Sequence, residues 1–226
     1  MDVHSGIFKA YDIRGVYPTE LNEDVAYLIG RAFAVFIGGE RVVVGRDMRV
    51  SSPRMAAAFI DGALSRGADV VDIGLASTDQ LWFASGRLGL PGAMFTASHN
   101  PKEYNGVKFC LAGAQPIAPA QLVEIADRAE AGAPASAARG ERSEQDLLPA
   151  YADHLHSLVD LSGIRQLTVV ADAGHESRKL AGQLKRHDGF TLQIVTRRQR
   201  AFRITGLTWI VERSIAWINR VASATP

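Results

Sequence analysis

The 226-residue sequence has almost no cysteine and no long apolar run. Because Cys110 is the single cysteine, an internal disulfide and a metal site built from several cysteines are both excluded. No stretch approaches the roughly 18 apolar residues of a membrane span, and the first residues lack the basic and apolar regions of a signal peptide. With 47% hydrophobic residues, the chain can still bury a sizeable core. We therefore expect a cytoplasmic globular protein without a membrane partner, in which Cys110 is a buried structural thiol.

A large net charge is also missing, but the value of +1 conceals two parts of opposite charge. Residues 1–172 carry 15 Lys and Arg against 21 Asp and Glu, a net charge of −6. Residues 173–226 carry 10 against 3, a net charge of +7. This asymmetry indicates either a basic segment that contacts nucleic acid or two segments of different origin.

Helical and strand-like apolar patterns alternate along the first half of the chain, which is typical of an α/β layer fold. Ser52 is expected to be an N-cap residue with Pro53 at the first helical position. Asn105-Gly106 is a turn signal, so residues 107–110 are expected to return as a short strand. The other predicted elements are helices at 22–37 and 78–88 and strands at 41–45, 68–73 and 92–96.

The second half of the chain predicts a change of organisation after a helix at 121–130. Residues 131–146 begin rich in Ala, Gly, Ser and Pro, which favours an exposed linker. Residues 147–161 fit a helix and residues 167–171 a strand. We therefore expect a first domain at 1–130, a linker at 131–146, the start of a second α/β unit at 147–172 and a basic tail at 173–226.

The segment Thr96-Ala97-Ser98-His99-Asn100-Pro101 directly follows a predicted buried strand. A hydroxyl at such a strand end can project into a cleft while the strand holds its backbone still. A chain that folds back at Asn105-Gly106 would bring Lys108 toward the same loop, where a cation would stabilise a phosphate on Ser98. Taken alone, these residues fit an ordinary polar turn with an N-capping serine better than a reactive site.

Three ordered motifs together resemble the α-D-phosphohexomutase family of phosphomannomutases and phosphoglucomutases. They are Phe8-Lys-Ala-Tyr-Asp-Ile-Arg-Gly15, Val44-Gly-Arg-Asp-Met-Arg49, and Thr96-Ala-Ser-His-Asn-Pro101 followed by Tyr104-Asn-Gly-Val-Lys108. The resemblance covers residues 1 to about 172. It implies a mixed sheet sandwiched by helices, as in domain I of these enzymes, followed by an incomplete second α/β unit.

The resemblance also implies an isomerase activity that interconverts hexose 1-phosphates and 6-phosphates through a phosphoserine. Ser98 would carry the phosphoryl group, which would in turn ligate Mg²⁺, and a hexose 1,6-bisphosphate would be the activator. The other residues that it implicates are His99 and Lys108 as active-site groups and Lys9, Tyr11 and Arg14 as substrate-binding groups. The second motif allows two interpretations, a surface salt-bridge cluster or a supporting role in the site, for Arg46, Asp47 and Arg49.

One family motif is missing, because this sequence has no Asp-Gly-Asp-Gly-Asp loop of the kind that binds magnesium in phosphohexomutases. Residues from about 172 to 226 resemble instead the C-terminal end of a DDE-type transposase, in which Asp172 and Glu212 match two acidic positions. DDE enzymes need three carboxylates for two metal ions, so we expect this pair to be inactive. Two hypotheses stay open: a truncated phosphohexomutase, or a non-catalytic chimeric remnant with a nucleic-acid-binding tail.

Overall fold

The computed structural model describes residues 5–132, 138–160, 168–172 and 191–195. The chain divides into two compact units, Met1–Val159 and Asp160–Pro226. No helix in the described ranges is long and apolar enough to cross a bilayer.

A mixed sheet of seven strands organises the first unit. Its order is β1-β5-β4-β2-β3-β7, with the short β6 paired to β5. The strands are β1 (Ile13–Val16), β2 (Val42–Arg46), β3 (Val70–Leu75), β4 (Gly92–Phe95), β5 (Tyr104–Leu111), β6 (Gln115–Pro116) and β7 (Arg142–Glu144). Strand β2 runs parallel to β3 and β4, and β7 is parallel to β3. Strand β5 is antiparallel to β1, β4 and β6.

Five helices accompany this sheet: α1 (Glu23–Phe36), α2 (Ser52–Leu64), α3 (Thr78–Leu88), α4 (Pro119–Ala131) and α5 (Leu148–Leu158). Successive residues of a strand point to opposite faces, so Val42 and Val44 pack into one core and Val43 into another. The first core includes buried residues of α1, α2 and α4, and the second includes buried residues of α3. The predicted mixed sheet sandwiched by helices is confirmed.

The boundaries of α1 follow from its sequence. The side chain of Asn22 accepts a hydrogen bond from the Val25 backbone N–H at 3.0 Å and caps the N-terminus. At the other end Gly38 and Gly39 have φ angles of +71° and +78°, which stop the helix. The helix predicted at 22–37 is therefore confirmed.

The N-terminus of α2 differs from its prediction. Ser51, not Ser52, is the N-cap residue, and it makes no side-chain capping bond. Ser52 is instead the first helical residue and donates its hydroxyl hydrogen to Asp47 Oδ1 at 2.6 Å. The Ser52 side chain therefore binds Asp47 and does not cap the helix, the role that its position in the sequence predicts.

Helices α1 and α2 cross at two glycines that leave the helix backbones in direct contact. A Cβ on Gly30 would lie 2.1 Å from the Phe59 carbonyl oxygen, and one on Gly62 would lie 2.1 Å from the Tyr27 carbonyl oxygen. Beside this crossing Phe33 stacks on Phe109 of β5 with ring centroids 4.3 Å apart. Through this aromatic stack, α1 packs on the face of the sheet.

The segment predicted as a linker contains β7, which forms the edge of the sheet beside β3. The residue that follows the predicted linker, Leu147, is buried in the second core. The helix predicted at 147–161 appears as α5. Its Tyr151 and His154 rings pack against Phe83 of α3, at centroid distances of 5.4 and 5.1 Å.

The described part of the second unit is a pair of parallel strands, β8 (Thr168–Asp172) and β9 (Thr191–Val195). The strand predicted at 167–171 is β8, shifted by one residue.

Cys110 lies fully buried in β5 as a free thiol. Burial raises the pKa of Cys110 because a thiolate would be poorly solvated there. The expectation of a buried structural thiol is confirmed.

Candidate active site

The chain leaves β4 through a tight loop, residues 97–104, here called the serine loop. Ala97 is fully buried, whereas Ser98 and His99 are exposed. Ser98 has a φ of +53°, in the left-handed region that few non-glycine residues adopt. Its N–H donates to Thr96 Oγ1 at 3.0 Å, and the Asn100 N–H donates to the Ala97 carbonyl at 3.0 Å. The backbone therefore presents the Ser98 hydroxyl at an exposed position immediately after a buried strand.

The predicted turn at Asn105-Gly106 is wrong, because both residues lie inside β5. The chain reverses earlier, where the Tyr104 N–H donates to the Pro101 carbonyl at 3.0 Å. The Asn105 amide is buried and donates to the hydroxyls of Ser51 and Ser52 at 2.7 and 3.2 Å. Tertiary hydrogen bonds therefore account for an Asn-Gly pair that resembles a hairpin turn in sequence.

The Ser98 hydroxyl lies close to a group that can exchange protons. Its Oγ is 3.4 Å from His99 Nδ1. An imidazole near a hydroxyl can accept or return its proton when the hydroxyl oxygen attacks or leaves a phosphorus atom. The two exposed side chains thus lie within hydrogen-bonding distance of each other.

Arg14 connects the first motif to the serine loop. It lies in β1, where it pairs with Gly106 of β5. Its Nη1 donates to Asn100 Oδ1 at 2.7 Å, and its Nη2 donates to Asp12 Oδ2 at 2.5 Å. The fold thus brings a guanidinium from the N-terminal motif to the serine loop.

Arg49 makes the most extensive contacts with the serine loop. Its Nη1 donates to the carbonyls of Pro101 and Tyr104 at 2.8 and 3.0 Å. Its Nη2 donates to the carbonyls of Ser98 and Asn100, both at 2.8 Å. The sequence left open whether Arg49 belongs to a surface salt-bridge cluster or supports the site, and its place in the Gly-Arg-Asp-Met-Arg motif was the one signal that pointed to it.

Two further cations lie on the strands that lead into the site. Lys108 pairs with Met94 of β4, and Arg46 pairs with Phe95, the last residue of that strand. Within the described ranges, the side chains of Lys108 and Arg46 form no hydrogen bond or ion pair.

The remaining predicted residues of the first motif lie in the short connection before β1. The Lys9 ammonium donates to the Gly6 carbonyl, and the Lys9 backbone N–H donates to the Asp12 carbonyl at 2.8 Å. Tyr11 has 73% of its surface exposed. Among the described residues, neither side chain forms a hydrogen bond with the serine loop.

The acidic pair of the transposase resemblance falls only partly within the described residues. Asp172 is the last residue of β8 and pairs through its backbone with Val195, while Glu212 lies outside the described residues. Among the residues that the structure describes, no group of three His, Cys, Asp or Glu side chains is arranged to hold a metal ion. The described side chains therefore do not by themselves fit a magnesium site.

Comparison with known proteins agrees with this arrangement. The family described as phosphoglucomutase/phosphomannomutase, alpha/beta/alpha domain I, matches residues 5–135. A phosphomannomutase of Salmonella typhimurium is 42% identical over 173 residues, which are 74% of this chain and 38% of the relative. A protein named phosphohexose mutases from Xanthomonas campestris is 43% identical over 175 residues, with the same coverage. The chain thus spans well under half the length of these curated relatives.

Solved structures give the same result. A phosphoglucomutase/phosphomannomutase family protein of Burkholderia thailandensis superposes with a TM-score of 0.70 at 36% identity, over 84% of this chain and 43% of the other. A structure titled putative phosphomannomutase from Thermus thermophilus gives a TM-score of 0.69 at 31% identity, over 83% of this chain and 45% of the other. The chain therefore belongs to the phosphoglucomutase/phosphomannomutase family.

Proposed function

We propose that this chain carries the phosphoserine-bearing part of a phosphohexomutase, with Ser98 as the phosphoryl carrier and a hexose phosphate as the substrate. The observation that carries the proposal is the Ser98 hydroxyl itself, exposed at the end of a buried strand and 3.4 Å from His99 Nδ1. The names of the relatives, phosphomannomutase and phosphohexose mutases, support the same reaction class.

The proposed step is a transfer between two oxygens. Ser98 Oγ attacks a phosphorus of a hexose 1,6-bisphosphate, the Oγ–P bond forms and the sugar O–P bond breaks. The proton of the serine hydroxyl passes through His99 to the sugar oxygen, which leaves as a hydroxyl. In the reverse direction the phosphoserine transfers its phosphoryl group to the free hydroxyl of a hexose monophosphate and regenerates the 1,6-bisphosphate. When this bisphosphate returns its other phosphoryl group to Ser98, the positional isomer is left.

The charge that develops on the transferring phosphoryl group must be met by fixed cations. Arg14 is one candidate for such a cation, because it is hydrogen-bonded to Asn100 of the serine loop. Lys108 is a second candidate because its ammonium has no partner within the described ranges. Lys9 and Tyr11 stay predicted substrate-binding groups.

Magnesium remains an expectation from the family rather than from the described side chains. A phosphate on Ser98 offers oxygen ligands of the kind that Mg²⁺ prefers, and protein carboxylates normally complete such a site. No described carboxylate group is arranged to do so. In the proposed phosphoryl transfer to Ser98, roles are therefore assigned only to residues of this chain.

Replacement of Ser98 tests the proposal directly. After incubation with glucose 1,6-bisphosphate or mannose 1,6-bisphosphate and magnesium, we expect intact mass spectrometry to show one added phosphoryl group on the wild-type chain. Ser98→Ala should gain none, because the accepting oxygen is gone. Ser157→Ala, which removes another exposed hydroxyl, should gain the group like wild type. No gain in wild type, or an equal gain in Ser98→Ala, would refute the proposal.

A second candidate function, nucleic-acid binding, rests on the net charge of +7 in residues 173–226. Lys and Arg side chains bind DNA phosphates without a specific fold, and such binding weakens steeply with salt. The resemblance of this segment to a transposase end, and hence a chimeric origin, also stays a hypothesis.

Salt-dependent binding to DNA tests this second candidate. We expect a fluorescent duplex to be retained at low salt and lost as salt rises, and removal of residues 173–226 to abolish retention. Equal retention without the segment would contradict the candidate.

A further inference from the structure

We propose that Arg49 is the positioning residue of the phosphoryl-transfer site: by collecting the backbone carbonyls of the serine loop, its guanidinium holds Ser98 in its reactive conformation. This inference rests on the proposed function of Ser98. It assigns to Arg49 a role that acts on the reaction through the loop rather than by contact with the phosphate.

The contacts of Arg49 span nearly the whole loop. Four carbonyls, those of Ser98, Asn100, Pro101 and Tyr104, accept hydrogen bonds from two nitrogens of one guanidinium at 2.8 to 3.0 Å. The side chain of Arg49 is only 13% exposed. Because both terminal nitrogens are engaged with the backbone and largely buried, the group serves the loop and not an incoming anion.

The Arg49 side chain is itself held by a buried chain of contacts. Its Nε lies 3.3 Å from Asp47 Oδ2, and Asp47 Oδ1 accepts the Ser52 hydroxyl at 2.6 Å and the Arg49 backbone N–H at 3.0 Å. The Ser52 hydroxyl in turn accepts from the Asn105 amide at 3.2 Å. Strand β5 and the N-terminus of α2 therefore fix the aspartate that orients Arg49.

This arrangement explains how Ser98 keeps an unfavourable backbone conformation. A non-glycine residue at a φ of +53° persists only where its surroundings hold it there. The carbonyl of Ser98 is bound to Arg49, and its N–H is bound to Thr96 Oγ1. The residue is thus fixed on both sides of its Cα, which sets the direction of its side chain.

The same contacts have an electrostatic consequence for a phosphoserine. Carbonyl oxygens carry partial negative charge and would repel a phosphate close to them. With four of them turned toward a guanidinium, the negative ends of these dipoles are compensated before the phosphate arrives. Such prior ordering is what makes electrostatic stabilisation effective in an active site.

The geometry requires arginine and not merely a positive charge. A guanidinium is planar and presents its donors in a rigid fork, whereas a lysine ammonium is a compact point charge on a flexible stem. Lysine at position 49 would keep the charge and lose the two-sided fork. Arg49→Lys therefore separates positioning from net charge.

Hydrogen exchange of the 226-residue chain without substrate tests the positioning role. In Arg49→Lys and Arg49→Ala we expect the backbone amides of residues 98–104 to exchange about tenfold faster than in wild type. Arg128→Lys, which alters an exposed arginine paired with Glu124, is the matched control and should exchange like wild type. Far-UV circular dichroism checks that each variant is folded, and if Arg49→Ala is not, Arg49→Lys decides.

The rate of phosphoryl gain by Ser98 supplies the second measurement. We expect it to fall about 100-fold in Arg49→Ala, since a small misplacement of a reacting group has effects of this size. Millimolar guanidinium chloride should restore part of both the rate and the exchange protection, whereas equal potassium chloride should not.

Unchanged loop exchange in both Arg49 variants would overturn the positioning role, and a loss of phosphoryl gain alone would indicate direct phosphate binding. If the wild-type chain gains no phosphoryl group, the proposed function fails, while the exchange measurement still decides the role of Arg49.

Discussion

Gly30→Ala is expected to lower the free energy of unfolding by about 3 kcal/mol, because the added methyl group overlaps a neighbouring helix backbone. Its Cβ would lie 2.1 Å from the Phe59 carbonyl oxygen and 2.9 Å from the carbonyl carbon. Backbone atoms cannot rotate away as a flexible side chain can, so α1 and α2 must separate. That separation would disturb the stack of Phe33 on Phe109. In thermal unfolding the midpoint should fall by roughly 6–12 °C.

Gly86→Ala is the matched control, since it makes the same chemical change on an exposed face of α3. The nearest atom to its new Cβ is the Ala114 Cβ at 3.8 Å, an ordinary contact distance. Alanine is the better helix former, so this variant should gain about 0.5–1 kcal/mol. Equal midpoints for Gly30→Ala and Gly86→Ala would contradict the close helix crossing.

Gly106→Ala is expected to cost a similar amount, about 3 kcal/mol, and to disturb the candidate site at the same time. Gly106 lies in β5 between β1 and β4, and a Cβ there would be 2.3 Å from the Ile13 carbonyl oxygen and 2.9 Å from that of Thr96. Its neighbours therefore include the residue before Arg14 and the threonine whose Oγ1 binds the Ser98 N–H. Loss of stability should thus accompany slower phosphoryl gain by Ser98.

Gly113→Ala separates steric overlap from backbone preference. Gly113 follows the same strand at a φ of +72°, and an added methyl group there would have no atom within 4 Å. Its replacement should cost only about 1 kcal/mol, from the left-handed conformation alone, and should leave phosphoryl gain unchanged. Chemical denaturation of both variants checks the difference, and a Gly106→Ala chain as stable as Gly113→Ala would refute the overlap.

Local sequence patterns predicted the helices of the first unit and strands β2, β3 and β4, although not β1, β6 or β7, because the causes of those elements are local. The apolar spacing of α1, its Asn22 cap and the glycines that follow it act within a few residues of one another. The apolar run of β2 could likewise be recognised as a strand without knowledge of its neighbours in the sheet. Three ordered motifs further carried the family resemblance, which the comparisons confirm for residues 5–135.

Local patterns failed where a side chain has a distant partner. Ser52 resembles an N-cap, but its hydroxyl binds Asp47, five positions earlier, and also accepts a hydrogen bond from the distant Asn105. Asn105-Gly106 resembles a hairpin turn, but the buried Asn105 amide binds the start of α2. The missing side chain of Gly106 leaves room for the carbonyls of Ile13 and Thr96 beside β5. In both cases tertiary hydrogen bonds or close packing override the local preference.

The sequence by itself determined the α/β class and most helix and strand positions, and through its resemblance to the family it indicated Ser98 as the candidate phosphoryl carrier. Only the tertiary structure decided that Arg49, separated from Ser98 by 49 positions, binds the backbone of the serine loop. Its partners are backbone carbonyl groups, which every residue carries, so no pattern of side chains in the sequence can predict them. Their convergence on one guanidinium depends on the order of β2, β4 and β5 in the sheet, which arises only when the chain folds.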